Sequence, residues 1–408
     1  MHNIKLLKGD QKEDIIEFNS LVHHEDLRDT IDKLMYRNPF NSTRDFAYIE
    51  ENNKIISMVG FLKHKQQFGV SQVSVGEVAF VGTDPSHRNK GLVKEIMNYW
   101  FEEAKKQNIP LCFLFGIANF YQQFGFEYAI PTHQYKYIVM DRKRLKAIKG
   151  SLKVENFEEE HIPSIALIYE KASKENFCSK VRSTDYFKYR IEATNKGKHH
   201  WYVVKQGEKI KGYAWLTLTD NELLLREAQI VDEEAGKSLA EFLYSLIENK
   251  NINELGYKTP LNNSFAKFLY KNGGRAASTN DIFPGTWGGM YKIILLQPAL
   301  QALVSSFEGR IYSSRFYNYS GCINISTSIG AVAIKLLNGK VTIEEKAPAS
   351  EDINIPINIL SSIYTGYKDI CYYKDEIDFK GKENYELLNI LFPLGNPYVW
   401  DLEMSDEL

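Results

Sequence analysis

Four residues in one short stretch have the types and spacing to hold an anion. Arg88, Lys90 and Lys94 crowd the entry to a segment in which Leu92, Val93, Ile96, Met97, Trp100, Phe101 and Ala104 recur at helical spacing, and Gly91 stands at the entry itself. The first backbone N–H groups of a helix have no partner within it, and the macrodipole adds partial positive charge there. A helix alone favours acids at that end, so three cations make sense when a phosphate or pyrophosphate sits among them. Gly91 lets the backbone from Asn89 to Lys94 approach such a ligand closely. The element that must present this turn is Val78-Ala79-Phe80-Val81, a short apolar β-prone run that Asp84-Pro85 punctuates. A plain basic loop before a surface helix has the same cations; the preceding strand, the proline and the long amphipathic helix favour the anion site.

The 408 residues suit two or three domains, and 44% hydrophobic with 25% charged residues is the balance of a globular chain. A net charge of −2 supplies no bulk attraction to nucleic acid or membrane, and neither is an expected partner. No apolar run is long enough to span a bilayer, and the opening residues lack a signal-peptide core, so the expected location is cytoplasmic. Cys112, Cys178, Cys322 and Cys371 are scattered, and the nine histidines form no ligand motif, so no metal is expected.

Taken in order, Ile15, Ile16, Phe18, Leu21 and Val22 form a helical stripe behind the candidate N-cap Asp10. Residues 46–50 and 54–62 read as a hairpin around Glu51-Asn52-Asn53, 67–75 as a third extended segment, and 111–115 as a strand beside the central one. From 151 the pattern starts again. A loop and helix (154–169), a second hairpin (201–204 and 210–218), a strand (223–231) and a helix (238–247) follow, and 263–273 echoes the segment around Tyr121. Where the first copy carries Arg88-Asn89-Lys90-Gly91, the second carries Asp232-Glu233-Glu234-Ala235-Gly236, three acids that repel a pyrophosphate. The second copy is therefore expected to bind no cofactor. From 294 a third unit has strands 333–337 and 340–344 around Asn338-Gly339, an edge strand in the alternating Ile353, Ile355, Ile357 and Ile359 despite Pro356, and helices at 360–364 and 385–391. The expected class is α+β, in domains 1–150, 151–293 and 294–408.

The loop at Arg88 and Gly91 resembles the coenzyme A loop of the GNAT acetyltransferases, with Val93 standing where that motif has Gly or Ala. The longer pattern Val81, Pro85, His87, Arg88, Gly91, Leu92 is similar to that of the enhanced intracellular survival (Eis) type of N-acetyltransferase, and Asn119-Phe120-Tyr121-Gln122-Gln123-Phe124-Gly125-Phe126 resembles the late segment that lays a tyrosine over the thioester. The resemblance implies tandem GNAT-like mixed-sheet domains and a sterol-carrier-like C-terminal domain, acetyl-CoA as cosubstrate, a small primary amine as acceptor (aminoglycoside, polyamine or lysine-like), and a homo-oligomer, the hexamer of that type. It implies that Arg88, Asn89, Lys90, Gly91, Leu92, Val93 and Lys94 hold the pyrophosphate. Val81, Gly82 and Thr83, with Gly116 and Ile117, would hold the pantetheine arm. Tyr121 is the implied acid for the departing thiolate, and the α-carboxylate of Leu408 the implied base, with Asp401 or Glu403 as substitutes in the acidic tail. Glu25, Asp26 and Asp29 are either an acidic mouth for a cationic acceptor or a solvated helix face. A non-catalytic acyl-CoA sensor and a lipid-binding protein are the alternative functions.

Overall fold

The computed structural model describes residues 2–24, 26–117, 119–130, 137–194, 197–248, 250, 252–259, 262–277 and 287–399. They form two compact units, one of residues up to 130 with 177–180 and 287–399, the other of 137–176 and 181–277. The architecture is α+β with mixed sheets.

In the first unit the sheet order is Lys5–Leu6, Phe46–Glu51, Lys54–Phe68, Ser71–Thr83, Leu111–Ile117, Trp287–Ile293, Glu127–Ile130, and Phe177–Lys180 pairs with Lys54–Phe68. Asn52 and Asn53, at φ 51° and 62°, make the left-handed turn of the expected hairpin. The expected third segment at 67–75 is instead the end of one strand and the start of the next, because Gly69 turns the chain at φ 64°. Among the described residues, Ser71–Thr83 and Leu111–Ile117 are the one pair of this sheet's strands that runs parallel, and the helix Leu92–Lys106 makes the crossover between them.

That helix buries the apolar stripe read from its spacing, laying Ile96, Met97, Trp100 and Ala104 against Phe61, Val78, Cys112 and Leu114 of the sheet. Trp100 stacks on Phe61 with ring centroids 5.3 Å apart and donates its indole N–H to the Val59 carbonyl at 3.0 Å. Ile96 and Met97 each contribute about 1.5–3 kcal/mol by leaving water. The other face, with Val75, Leu111, Phe113, Tyr291 and Ile293, shares a core with the helices Leu296–Ala302, Val304–Tyr312 and Ile357–Tyr364. A four-stranded sheet lies beyond, in the order Lys340–Lys346, Gly330–Leu337, Gly321–Thr327, Ile353–Asn354, with its hairpin turning at Asn338 and Gly339 as expected. The isoleucine alternation at 353–359 is a strand only as far as Asn354. Pro356 then takes the N-cap position of the helix Ile357–Tyr364, where its missing N–H removes no internal bond.

The second unit repeats the plan: Arg275–Ala277, Tyr137–Asp141, Glu254–Lys258, Leu223–Ile230, Lys209–Leu218, His199–Gln206, Lys153–Asn156. Its helix Glu233–Glu248 buries Ala235, Leu239, Ala240, Leu243 and Ile247. Two strands sit in sheets that chain order does not suggest. Tyr137–Asp141 pairs with Glu254–Lys258 in the second sheet, and Trp287–Ile293 pairs with Leu111–Ile117 in the first.

Phe61 also covers Gly76, where a Cβ would lie 1.9 Å from the ring. Gly76→Ala is therefore expected to lower stability by about 1–3 kcal/mol through overpacking. Urea unfolding measures this, and an unchanged midpoint would show that the ring yields freely.

Candidate active site

The site begins where a ladder stops. Ser71–Thr83 and Leu111–Ile117 pair only at Val75↔Leu111, Gly76↔Cys112 and Glu77↔Phe113. Beyond Glu77 the first strand runs on to Thr83 and the second to Ile117, without further pairing between them. A bulge drives them apart. The register against Lys54–Phe68 slips between Met58 and Gly60, and Phe80 is held at φ 49°. Val81, Gly82 and Thr83 thus lie on one arm of an open V, and Gly116 and Ile117 on the other. Gly82 is packed under the helix Lys12–His23, since a Cβ there would meet Val22 at 2.8 Å. The Thr83 hydroxyl is anchored to the Ser57 hydroxyl at 3.0 Å.

At the end of the first arm, Asp84 closes a tight turn by accepting the Ser86 N–H at 2.8 Å and its hydroxyl at 2.6 Å. These bonds, the hydroxyl's first, hold the Asp84 carboxyl below its ordinary value. His87 meets Glu51 at 3.0 Å, which ties the turn to the hairpin. The chain then passes Asn89 at φ 64° and Gly91 at φ 77° into the helix Leu92–Lys106, whose N-terminus has no side-chain cap. Arg88, Asn89, Lys90, Gly91 and Lys94 are exposed, Val93 is half-buried and Leu92 is in the core. The proposed anion cradle is therefore bare backbone N–H groups ringed by three exposed cations.

On the second arm the Tyr121 ring lies flat against Gly116, where a Cβ would come within 2.2 Å of it. Gly116 is three residues past Phe113, the last shared pair, so the ring belongs to the open part of the V. Asn119 at φ 61° and Gly125 at φ 82° bracket the short turn Tyr121–Phe124. Phe120, Phe124 and Phe126 pack around the ring at centroid distances of 5.0, 6.3 and 6.3 Å. Burial pushes the phenol up to about 12, and its hydroxyl makes no hydrogen bond among the described residues. The structure therefore puts Val81, Gly82 and Thr83 on the arm that leads into the loop at 88–94, and Gly116 and Ile117 on the other arm, with Tyr121 against Gly116. Leu408, Asp401, Glu403 and Glu25 lie outside the described residues. Asp26 accepts the Arg28 N–H at 3.0 Å and Asp29 pairs with Lys33 at 2.6 Å, so both have local work.

One group escaped the sequence reading. Glu77, at the last pair before the V, is buried with His64, their Oε2 and Nδ1 atoms 3.9 Å apart. His64 also contacts Gln66 at 3.2 Å, and Tyr291 donates its hydroxyl to Gln66. A carboxylate inside an apolar strand was the available signal. Among the described residues no cluster of His, Cys, Asp and Glu is arranged to hold a metal, no helix is long and apolar enough to cross a membrane, and all four cysteines are free.

Residues 3–129 match the acetyltransferase (GNAT) domain family. No curated protein matches the sequence. Among solved structures, a GCN5-related N-acetyltransferase from Anabaena variabilis superposes with a TM-score of 0.74 at 15% identity, over 98% of this chain and 99% of the other. A probable N-acyltransferase from Enterococcus faecalis gives 0.73 at 14%, with 98% and 99% covered. Eis1 from Mycobacterium abscessus gives 0.67 at 15%, again with 98% and 99% covered. At such identities the likeness carries the fold alone. The match over residues 3–129, on the loop and strands just described, makes that segment a GNAT acetyltransferase domain and the chain an acyltransferase.

Proposed function

We propose that the protein transfers an acetyl group from acetyl-CoA to a primary amine of an aminoglycoside, polyamine or lysine-like acceptor, by direct attack and in the manner of the Eis type. The observation that carries this is the open V with a bare helix N-terminus on one arm and an unbonded buried phenol on the other. The amides from Asn89 to Lys94, with Arg88 alongside, hold the pyrophosphate. The arm from Val81 to Thr83 offers N–H groups to the thioester carbonyl, whose oxygen gains charge as nitrogen attacks. When the C–S bond breaks, Tyr121 gives its proton to the sulfur. Its raised pKa does not disqualify it, because burial raises a thiol in the same environment too, as it does for Cys112 and Cys178.

The amine's proton needs a base, which we assign to the Leu408 α-carboxylate, with Asp401 and Glu403 as substitutes. Residues just before the tail favour this. Pro397 pairs in parallel with Phe177, and Tyr398 donates its N–H to the Phe177 carbonyl at 2.9 Å. Phe177–Lys180 runs along Lys54–Phe68 toward the V, which puts Val399 level with Gln67 and Gln72. From that level to Val78 is about 20 Å at strand rise, and nine residues reach up to about 30 Å. Buried Glu77 with His64 is the competing base. The remaining finer readings are a cofactor-free second GNAT-like domain, a sterol-carrier-like region after 294, and a cytoplasmic homo-oligomer of hexamer type.

Thiol release from acetyl-CoA against aminoglycosides, polyamines and lysine peptides tests the reading. Release with at least one amine is expected, whereas CoA binding with silence across the panel would favour the sensor. Gly91→Glu is expected to abolish acetyl-CoA binding, since φ 77° strains any side chain and the carboxylate would face the phosphates; unchanged affinity in calorimetry would overturn the loop assignment. Tyr121→Phe is expected to lower kcat by about 10²–10⁴-fold with cofactor affinity kept. Because burial raises this phenol above its ordinary 10, it stays protonated through neutral and mildly alkaline pH, and the acid function should persist there. Undiminished turnover would remove Tyr121 from the mechanism. Deleting residues 405–408 is expected to stop turnover without loss of CoA binding. Full activity in that variant, with activity lost in Glu77→Gln, would move the base to Glu77.

A further inference from the structure

The turn that enters the cationic loop is clamped through a single imidazole. His87 stands directly before Arg88 and uses both ring nitrogens, Nε2 toward Glu51 at 3.0 Å and Nδ1 toward the Ser86 hydroxyl at 2.9 Å. Glu51 ends the strand Phe46–Glu51, so the first contact joins the loop to the hairpin.

Counting hydrogens says what the ring must be. The Ser86 hydroxyl lies 2.6 Å from Asp84 Oδ1, and two oxygens that close need a hydrogen between them. Asp84, held ionised by its bonds to Ser86, has none to give. The hydroxyl's single hydrogen therefore points at Asp84, and toward His87 the hydroxyl can only accept. Glu51, a carboxylate, can also only accept. Both ring nitrogens then donate, and a ring that donates twice is the imidazolium. Asp84 Oδ1, 3.6 Å from Nδ1, adds to the attraction.

The other charges around this pair belong to Lys90 and His2, which also act on Glu51. His2 is taken up by Glu95, in the first turn of the helix, at 3.1 Å. Glu51 is thus shared between two cations of the loop, His87 and Lys90. While His87 is charged it engages Glu51 and leaves Lys90 to an incoming anion. Once the ring has a single proton, one of its two contacts sets acceptor against acceptor, and the Glu51 charge falls on Lys90 and on any phosphate beside it.

We propose that His87 is a positioning residue for the pyrophosphate of coenzyme A: as the imidazolium it holds Glu51 off the cationic loop, so that cofactor affinity falls as the ring gives up its proton. This rests on the acetyl-CoA reading of the loop given above.

Calorimetry of CoA with the full chain, at low salt and across the range of about pH 5–8 in which a histidine changes charge, tests it. Titration of CoA's own phosphate is common to every variant and cancels between them. At the acidic end His87→Gln, whose amide still donates to Glu51 but does not titrate, is expected to bind CoA about three- to tenfold more weakly than the wild type. With rising pH the wild type should lose that advantage and the variant should not follow. Adding Glu51→Gln to His87→Gln should restore the affinity, because the carboxylate that opposes the phosphates is gone; a merely structural clamp would gain nothing from losing its second partner. Heteronuclear NMR of the ring should show both nitrogens protonated at the acidic end and one proton lost in step with the affinity, and thermal melts verify folding. The same pH dependence in wild type and His87→Gln, no rescue by Glu51→Gln, or a His87 ring neutral throughout overturns the proposal. A wild type that binds no CoA at any pH would instead overturn the acetyl-CoA reading itself.

Discussion

The active-site half of the molecule depends on a pairing that is not made. Two parallel strands share three residue pairs, ending at Glu77 and Phe113, and then separate. A sheet interior normally satisfies every backbone N–H and C=O through its ladder. Opening the sheet removes that satisfaction on both inner edges and is tolerable only where a ligand, water or side chain steps in. The opening is held by features with no freedom of their own. Phe80 is fixed at a left-handed φ within a bulge, Gly82 is pressed under a helix, and on the far arm Leu111–Ile117 is paired along its whole other edge with Trp287–Ile293. The V is therefore rigid on both sides, and rigid placement of donors around developing charge is what acyl transfer uses.

The two units show what becomes of the same opening under different side chains. In the first, none of the described hydrogen bonds draws the Tyr121 hydroxyl away from the V, and the helix behind the cationic loop is uncapped. In the second, where Leu223–Ile230 pairs with Glu254–Lys258 only from Leu223 to Leu225, the Tyr257 hydroxyl and the Asn263 amide take the freed backbone at Ala228. At the helix start Asp232 accepts the Ala235 N–H at 3.0 Å and pairs with Lys211 at 2.8 Å, which holds its carboxyl below the ordinary value. A carboxylate of the chain itself thus caps this helix, whereas the first unit's helix has no side-chain cap. The acids at 232–234 read from the sequence as repulsion; the structure adds that one of them is the cap.

What was legible in the sequence was whatever is local. The helix stripe from Leu92, the turns at Asn52-Asn53 and Asn338-Gly339, and the glycine before the cationic helix are each decided within a few residues, by periodicity or by backbone sterics. What was missed is decided elsewhere. The bulge at Phe80 depends on the register of a neighbouring strand, so nothing in its own apolar run announces it. Tyr137–Asp141 and Trp287–Ile293 were not picked out from the sequence, and only tertiary pairing says which sheet each one joins. At Pro356 two local rules competed. Alternating isoleucines favour a strand, but a proline ahead of Ile357 also starts a helix, and burial of Ile359, Leu360 and Ile363 against Tyr291 and Ile293 settles it for the helix.

Glu77 raises the remaining chemical question, because a buried carboxylate is stable only with partners. It belongs to a polar line through His64 and Gln66 to Tyr291, which crosses three strands beneath the V. Phe177–Lys180 pairs with Lys54–Phe68 at Gln66, on the same line, and that strand also ties down the chain just before its acidic tail. The polar line and the residues just before the tail therefore meet on one strand, Lys54–Phe68. The same ladder that fixes His64 and Gln66 beneath the opening also fixes the strand to which Pro397 and Tyr398 are bonded, so the buried carboxylate and the last described residues of the chain are held by one element of the sheet.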